Sequence, residues 1–102
     1  MTIEIPSFPD MAIEARFYSI EEGGPKNKFA LGYVPLMAKM ESEFREFRFY
    51  FDKNVPIEAG MIIKGFLLFL DKESVAVFRG RKSFLIGVPR IIGEARVISL
   101  LD

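Results

Sequence analysis

Apolar and polar side chains alternate with a period of two along most of the chain. From Met11 onward, Ile13, Ala15 and Phe17 fall on one face and Glu14, Arg16 and Tyr18 on the other, which reads as a half-buried strand. Residues 42–51 repeat the pattern, with Phe47, Phe49 and Phe51 opposed to Glu46, Arg48 and Tyr50. Phe44 is out of phase with the first set, and a β-bulge near Arg45 would bring it back. Tyr33–Met40 is apolar but holds Pro35, which cannot donate to a ladder, so an edge or bent strand is expected. A helix over 36–47 competes through its Met, Ala, Lys and Glu residues, but the aromatic run that follows favours strand. Residues 61–70 are nearly all apolar and read as a central strand covered on both faces. Residues 74–78 and 84–88 read as short strands around a basic turn at 79–82, the second followed by Pro89. The last strand, 93–101, sets Ala95 and Val97 inward and Glu94 and Arg96 outward. Residues 1–10, with Pro6 and Pro9, form an extended lead-in, leaving 11–102 as one domain. With no repeat and no low-complexity segment, short strands separated by turns predict an all-β barrel or sandwich.

Composition adjusts this picture in two ways. Half the residues are hydrophobic and eleven are Phe, a surplus that either fills the core or leaves a sticky outer face. Fourteen basic and fourteen acidic residues cancel, so bulk charge gives no pull toward nucleic acid or an anionic membrane. The longest apolar run, 65–70, is far short of the roughly 20 residues of a membrane-spanning helix. No signal peptide is evident at residues 1–10. These features predict a cytoplasmic protein with no membrane partner.

The chemistry available is narrow. The chain has no His and no Cys, which removes the commonest general base, the usual zinc ligands and the Ser-His and Cys-His pairs. Glu21 and Glu22 are adjacent and diverge on an extended chain, and Glu41 and Glu43 read as solvated charge at a strand start. No phosphate-cradling GxxxxGK[ST] loop occurs. The expectation is no catalytic residue, no cofactor and no metal, and hence no enzyme.

The segment Glu21-Glu22-Gly23-Gly24, followed by Gly32-Tyr33-Val34-Pro35, resembles the opening of the third domain, the C-terminal β-barrel, of elongation factor Tu and related translational GTPases. There an acidic Glu-Glu-Gly-Gly turn leads to a Gly-Tyr-x-Pro strand. The turn at Ile57-Glu58-Ala59-Gly60 before the long apolar strand resembles the family's next segment. Phe84, Ile86, Arg90, Ile92, Gly93 and Val97 resemble its closing hairpin. The likeness spans about residues 11–102 and implies a six-stranded antiparallel, Greek-key-like barrel, here as a stand-alone domain. In the family this barrel helps hold aminoacyl-tRNA and contacts the GTPase domain and the exchange factor. The GTPase domain is not in this chain, so no GTP binding by it is expected. Polar contact positions of the family are replaced here by Val34, Leu36, Gly87 and the compressed turn Val88-Pro89-Arg90-Ile91.

Two functional readings follow. In the first, the barrel is a protein-interaction module, docking another protein or a second copy through Tyr33, Val34, Leu36 and Met37. In the second it binds RNA through Lys26, Lys28, Arg79, Arg81 and Lys82, with Phe78 as a stacking surface. Gly23, Gly24, Gly60 and Gly93 are assigned to turns, where glycine supplies backbone angles other residues avoid.

Overall fold

A computed structural model of the chain describes residues 8–26, 32–87 and 90–101. Six strands close into one antiparallel barrel: β1 (Met11–Phe17), β2 (Tyr33–Met40), β3 (Glu43–Tyr50), β4 (Ile62–Phe69), β5 (Ser83–Gly87) and β6 (Ile91–Leu100). Their order around the barrel is β1-β4-β3-β2-β5-β6. β2, β3 and β4 run as a meander and β1 returns beside β4, which is a Greek-key arrangement. The six-stranded barrel expected from the sequence is the fold observed. The lead-in is described from Phe8 only; Asp10 extends the ladder by donating its N–H to Leu67 O and accepting from Leu101 N.

The period-two pattern fills the interior. Met11, Ile13, Ala15 and Phe17 of β1 are buried, as are Phe47 and Phe49 of β3 with Phe51 just beyond it, while the intervening residues turn outward. Among the described residues seven phenylalanines are buried. At one end Phe69 stacks on Phe78 with centroids 5.3 Å apart, and Phe78 and Phe47 both meet Phe84 edge-on at 5.2 and 6.2 Å. Such contacts each add about 0.5–1.5 kcal/mol beyond the area they bury. Toward the other end Phe49 stacks on Phe51, and Ile57 of the β3–β4 connector is fully buried.

Pro35 sits where the sheet tolerates it. Phe51 N–H donates to Gly32 O. Along the β2–β3 register the even-numbered residues of β2 therefore bond to β3 and the odd-numbered ones face β5. β2 lies between β3 and β5 and is not the edge strand that Pro35 suggested; among the described residues β5 pairs with it at Met37–Lys39, and Pro35 offers no backbone donor on the β5 side.

Three further expectations are corrected. Residues 74–78 are not a strand but part of a helix, α1 (Lys72–Phe78). Asp71 caps it, its Oδ1 accepting from Ser74 N at 2.9 Å and from the Ser74 hydroxyl at 3.0 Å. The connection from β4 to β5 must cross the end of the barrel, and the helix carries Phe78 down as the plug. No bulge occurs near Arg45: the β2–β3 register is unbroken from Tyr33↔Tyr50 to Met40↔Glu43. Phe44 stays outside, 45 % exposed, with the Lys39 ammonium 5.3 Å from its ring. β4 is central by hydrogen bonding, between β1 and β3, but only one of its faces is covered.

Gly65, an inward position of β4, is fixed by close packing. A Cβ there would lie 2.2 Å from Tyr50 O and 2.7 Å from the Phe49 ring. Gly65→Ala is expected to destabilise the barrel by about 1–3 kcal/mol through overpacking, read from the urea midpoint; an unchanged midpoint would show that the ring moves aside freely.

Candidate interaction surface

Strand alternation divides the expected interface residues. Val34 and Leu36 point into the barrel and are 6 % and 2 % exposed, so they belong to the core and not to a docking surface. Tyr33 is exposed and Met37 half-buried on the outer face. The period-two rule that set Phe47 inward, applied to β2 from Ala38 backward, gives this division directly.

The basic candidates do not converge. Lys26 follows the end of β1, on the side of the barrel end where Arg90 of the β5–β6 hairpin holds the backbone carbonyls of Gly23 and Gly24. Arg79, Arg81 and Lys82 lie at the opposite end of β5. There Arg81 pairs with Glu41 at 3.5 Å. Lys28 lies outside the described residues, as do Val88 and Pro89 of the compressed turn. Phe78 is fully buried and offers no stacking surface.

The glycines separate by cause. Gly23 and Gly60 have φ of +99° and +84°, the left-handed region that side chains avoid. Gly24 is needed for space, since a Cβ would fall 1.8 Å from Tyr18 O. Gly93 is not at a turn: it lies within β6 opposite Phe17, where the chains approach closely. Glu22 completes the loop by accepting from Ser19 N, while Ser19 Oγ accepts from Glu22 N. The Ser19 amide first, and then the Ser19 hydroxyl, hold the Glu22 carboxyl below the usual range, with Arg16 adding a smaller pull in the same direction.

The two sides of the barrel differ in character. On β1 and β6 the charges satisfy each other: Arg16 meets Glu94 at 3.1 Å and Glu22 at 3.8 Å, and Arg96 meets Glu14 at 3.3 Å. On the outer face of β2, β3 and β4 the register sets out rows that are mostly apolar. Tyr33, Tyr50 and Phe66 form one row, with Tyr33 stacked on Tyr50 at 5.7 Å. Pro35, Arg48 and Leu68 form the next. Met37 and Glu46 lead to Leu70, whose N–H donates to Glu46 O, and Lys39 and Phe44 close the face. Tyr33, Phe44 and Leu70 are 45, 45 and 53 % exposed. Arg48 lies 5.9 Å over the Tyr33 ring. Among the described residues neither Arg48, Lys39 nor Glu46 has an oppositely charged side chain within 4 Å.

Near α1, Phe8, Leu70, Val75, Ala76, Arg79 and Leu101 line an open groove of about 680 Å³. Among the described residues no group of three carboxylates is placed to hold a metal ion, and no helix is long and apolar enough to cross a membrane. No family model matches the chain, and no curated protein is significantly similar to it.

Asp71, at the head of α1, has its carboxyl held low, first by the Ser74 amide and then by the Ser74 hydroxyl, with Arg45 contributing less. A carboxylate whose pKa is depressed by folding adds stability above its unfolded value, and loses it as the pH falls through the folded value. Asp71→Ala is therefore expected to lower Tm at pH 5–7, the gap narrowing as pH drops below about 4. Thermal melts of both proteins from pH 7 to 2 check this; a gap that persists undiminished at the acid end would show that the cap acts without its charge.

Proposed function

We propose that this chain is a non-catalytic protein-interaction module with an elongation factor Tu domain 3-like barrel, docking a protein through the outer face of β2, β3 and β4. One observation carries the reading. β4 is apolar but for Lys64, yet only one of its faces is covered, so Ile62, Phe66, Leu68 and Leu70 project outward beside Tyr33 and Tyr50. A contiguous apolar sheet face of this kind costs solubility unless a partner covers it. Tyr33 and Met37 keep their expected part in the surface; Tyr50, Phe66, Leu68 and Leu70 replace Val34 and Leu36. The relation to the translational GTPase barrel is supported by the Greek-key strand order and by the Glu21–Gly24 turn lying directly after the first strand. In this reading the chain acts in the cytoplasm and neither binds GTP nor uses a cofactor. The RNA reading is disfavoured by the separation of Lys26 from Arg79, Arg81 and Lys82 at opposite ends of β5.

A photo-crosslinking residue at Leu68 is expected to give a discrete protein adduct in cells, weakened at least about tenfold by Tyr33→Glu. The same residue at Ser83, beside the β1–β6 ion pairs, is expected to give none. Equal adducts at both positions, or none at either, would remove the face from consideration.

A further inference from the structure

The charges on the outer face of β2, β3 and β4 specify what fits over it. Its middle strand carries Glu46 and Arg48 side by side on the outside, two residues apart. They do not pair with each other, and neither has an opposite charge within reach among the described residues. Consider a two-fold axis lying in the plane of the interface, perpendicular to β3 at the level of Phe47. It turns a second barrel over so that its β3 runs antiparallel across the first. Each residue on one side of Phe47 then meets the residue equally far on the other side.

The register makes the outcome specific. Arg48 lies over the partner's Glu46, and Glu46 over the partner's Arg48. Tyr50 lies over the partner's Phe44, and Met37 over the partner's Pro35. Leu68 lies over the partner's Leu70. Tyr33 lies over the partner's Lys39, an aromatic face under an ammonium. These contacts are chemically matched, Phe66 reaching past the end of the partner's β4, and the two charges that are unpaired in one copy become two ion pairs. The alternative two-fold, parallel to β3, would set Glu46 against Glu46 and Arg48 against Arg48. On these grounds we propose that a second copy of this chain covers the face, in a symmetric dimer with β3 strands crossing antiparallel at Phe47. An isologous interface has this self-complementarity as its defining property. The proposal rests on the reading of this face as the docking surface and names its occupant.

The test is sedimentation equilibrium with light scattering on the purified chain, at concentrations up to about 1 mM, the weak end of the affinity scale. The wild type is expected to reach a dimer mass. Arg48→Glu places four carboxylates at the centre, and is expected to weaken the dimer about 30-fold or more; Glu46→Arg does the same with four cations. Mixing the two variants is expected to restore pairing as a heterodimer, because each now offers the charge the other lacks. This restoration also shows that both variants are folded. Lys82→Glu, an exposed reversal off the face, is expected to leave the dimer unchanged. A wild type that is monomeric at every concentration overturns the proposal, as does dimerisation that survives Arg48→Glu or a mixture that fails to pair. If the wild type is monomeric while a crosslinker at Leu68 captures a different protein, the docking-surface reading stands and self-pairing falls. Pairing of the barrel with an RNA oligonucleotide in place of a second copy, read as absorbance at 260 nm in the leading boundary, also overturns it.

Discussion

Seven phenylalanines inside a six-stranded barrel are the constraint on which the rest of the structure depends. A small barrel has an interior just wide enough for side chains to fill it. Phe47, Phe69, Phe78 and Phe84 close on each other at one end, and Phe49 and Phe51 stack toward the other. Rings this large need small neighbours. Gly65 gives up its side chain to the Phe49 ring, and Ala15, Ala38 and Ala95 line the same interior. The helix α1 follows from the same demand, because Phe78 completes the cluster only if the chain crosses the barrel end.

Filling the interior from one face of each strand commits the other face to solvent or to a partner. β1 and β6 place alternating acids and bases there, and these pair across the strands at about the distances of surface salt bridges, each of which contributes little to stability. β4 has no such supply. Its outward positions are Ile62, Lys64, Phe66, Leu68 and Leu70, and its neighbour β3 adds Phe44 and Tyr50. The barrel is thus two-sided, one wall electrostatically self-contained and the other apolar with a single acid–base couple on its middle strand.

The opening turn shows how a loop is held without contributing chemistry. Gly23 takes a left-handed angle, Gly24 passes against Tyr18 O, and Glu22 and Ser19 exchange bonds at its base. Arg90 then ties the loop to the far hairpin through the carbonyls of Gly23 and Gly24. Glu21 and Lys26 are left exposed to solvent. The turn residues set the path of the chain between β1 and β2, and Arg90 is the residue that local reading of the turn could not supply, since it arrives from 66 residues away.

The sequence by itself determined the strands, the all-β class and most of the core, because alternation at period two is a local property: one buried face dictates every second residue. It also marked Gly23–Gly24 as a turn, whereas the edge strand that Pro35 suggested is, in the closed barrel, an interior one. The helix at Lys72–Phe78 was legible only through Asp71 and Ser74, a capping pair that β-branched Val75 and Val77 masked. The tertiary structure alone decided that one side of β4 met solvent, since its single charge, Lys64, marks that side in an otherwise apolar run but does not say whether anything covers it. It decided likewise that Phe44 stays outside, because the β2–β3 register runs without a bulge, whereas the inward direction of Val34 and Leu36 follows from alternation alone. The distribution of charge was also a matter of closure. Arg16 and Glu94, 78 residues apart, become neighbours only when β6 reaches β1, whereas Glu46 and Arg48, two residues apart on one face, are neighbours in any strand and yet do not pair with each other.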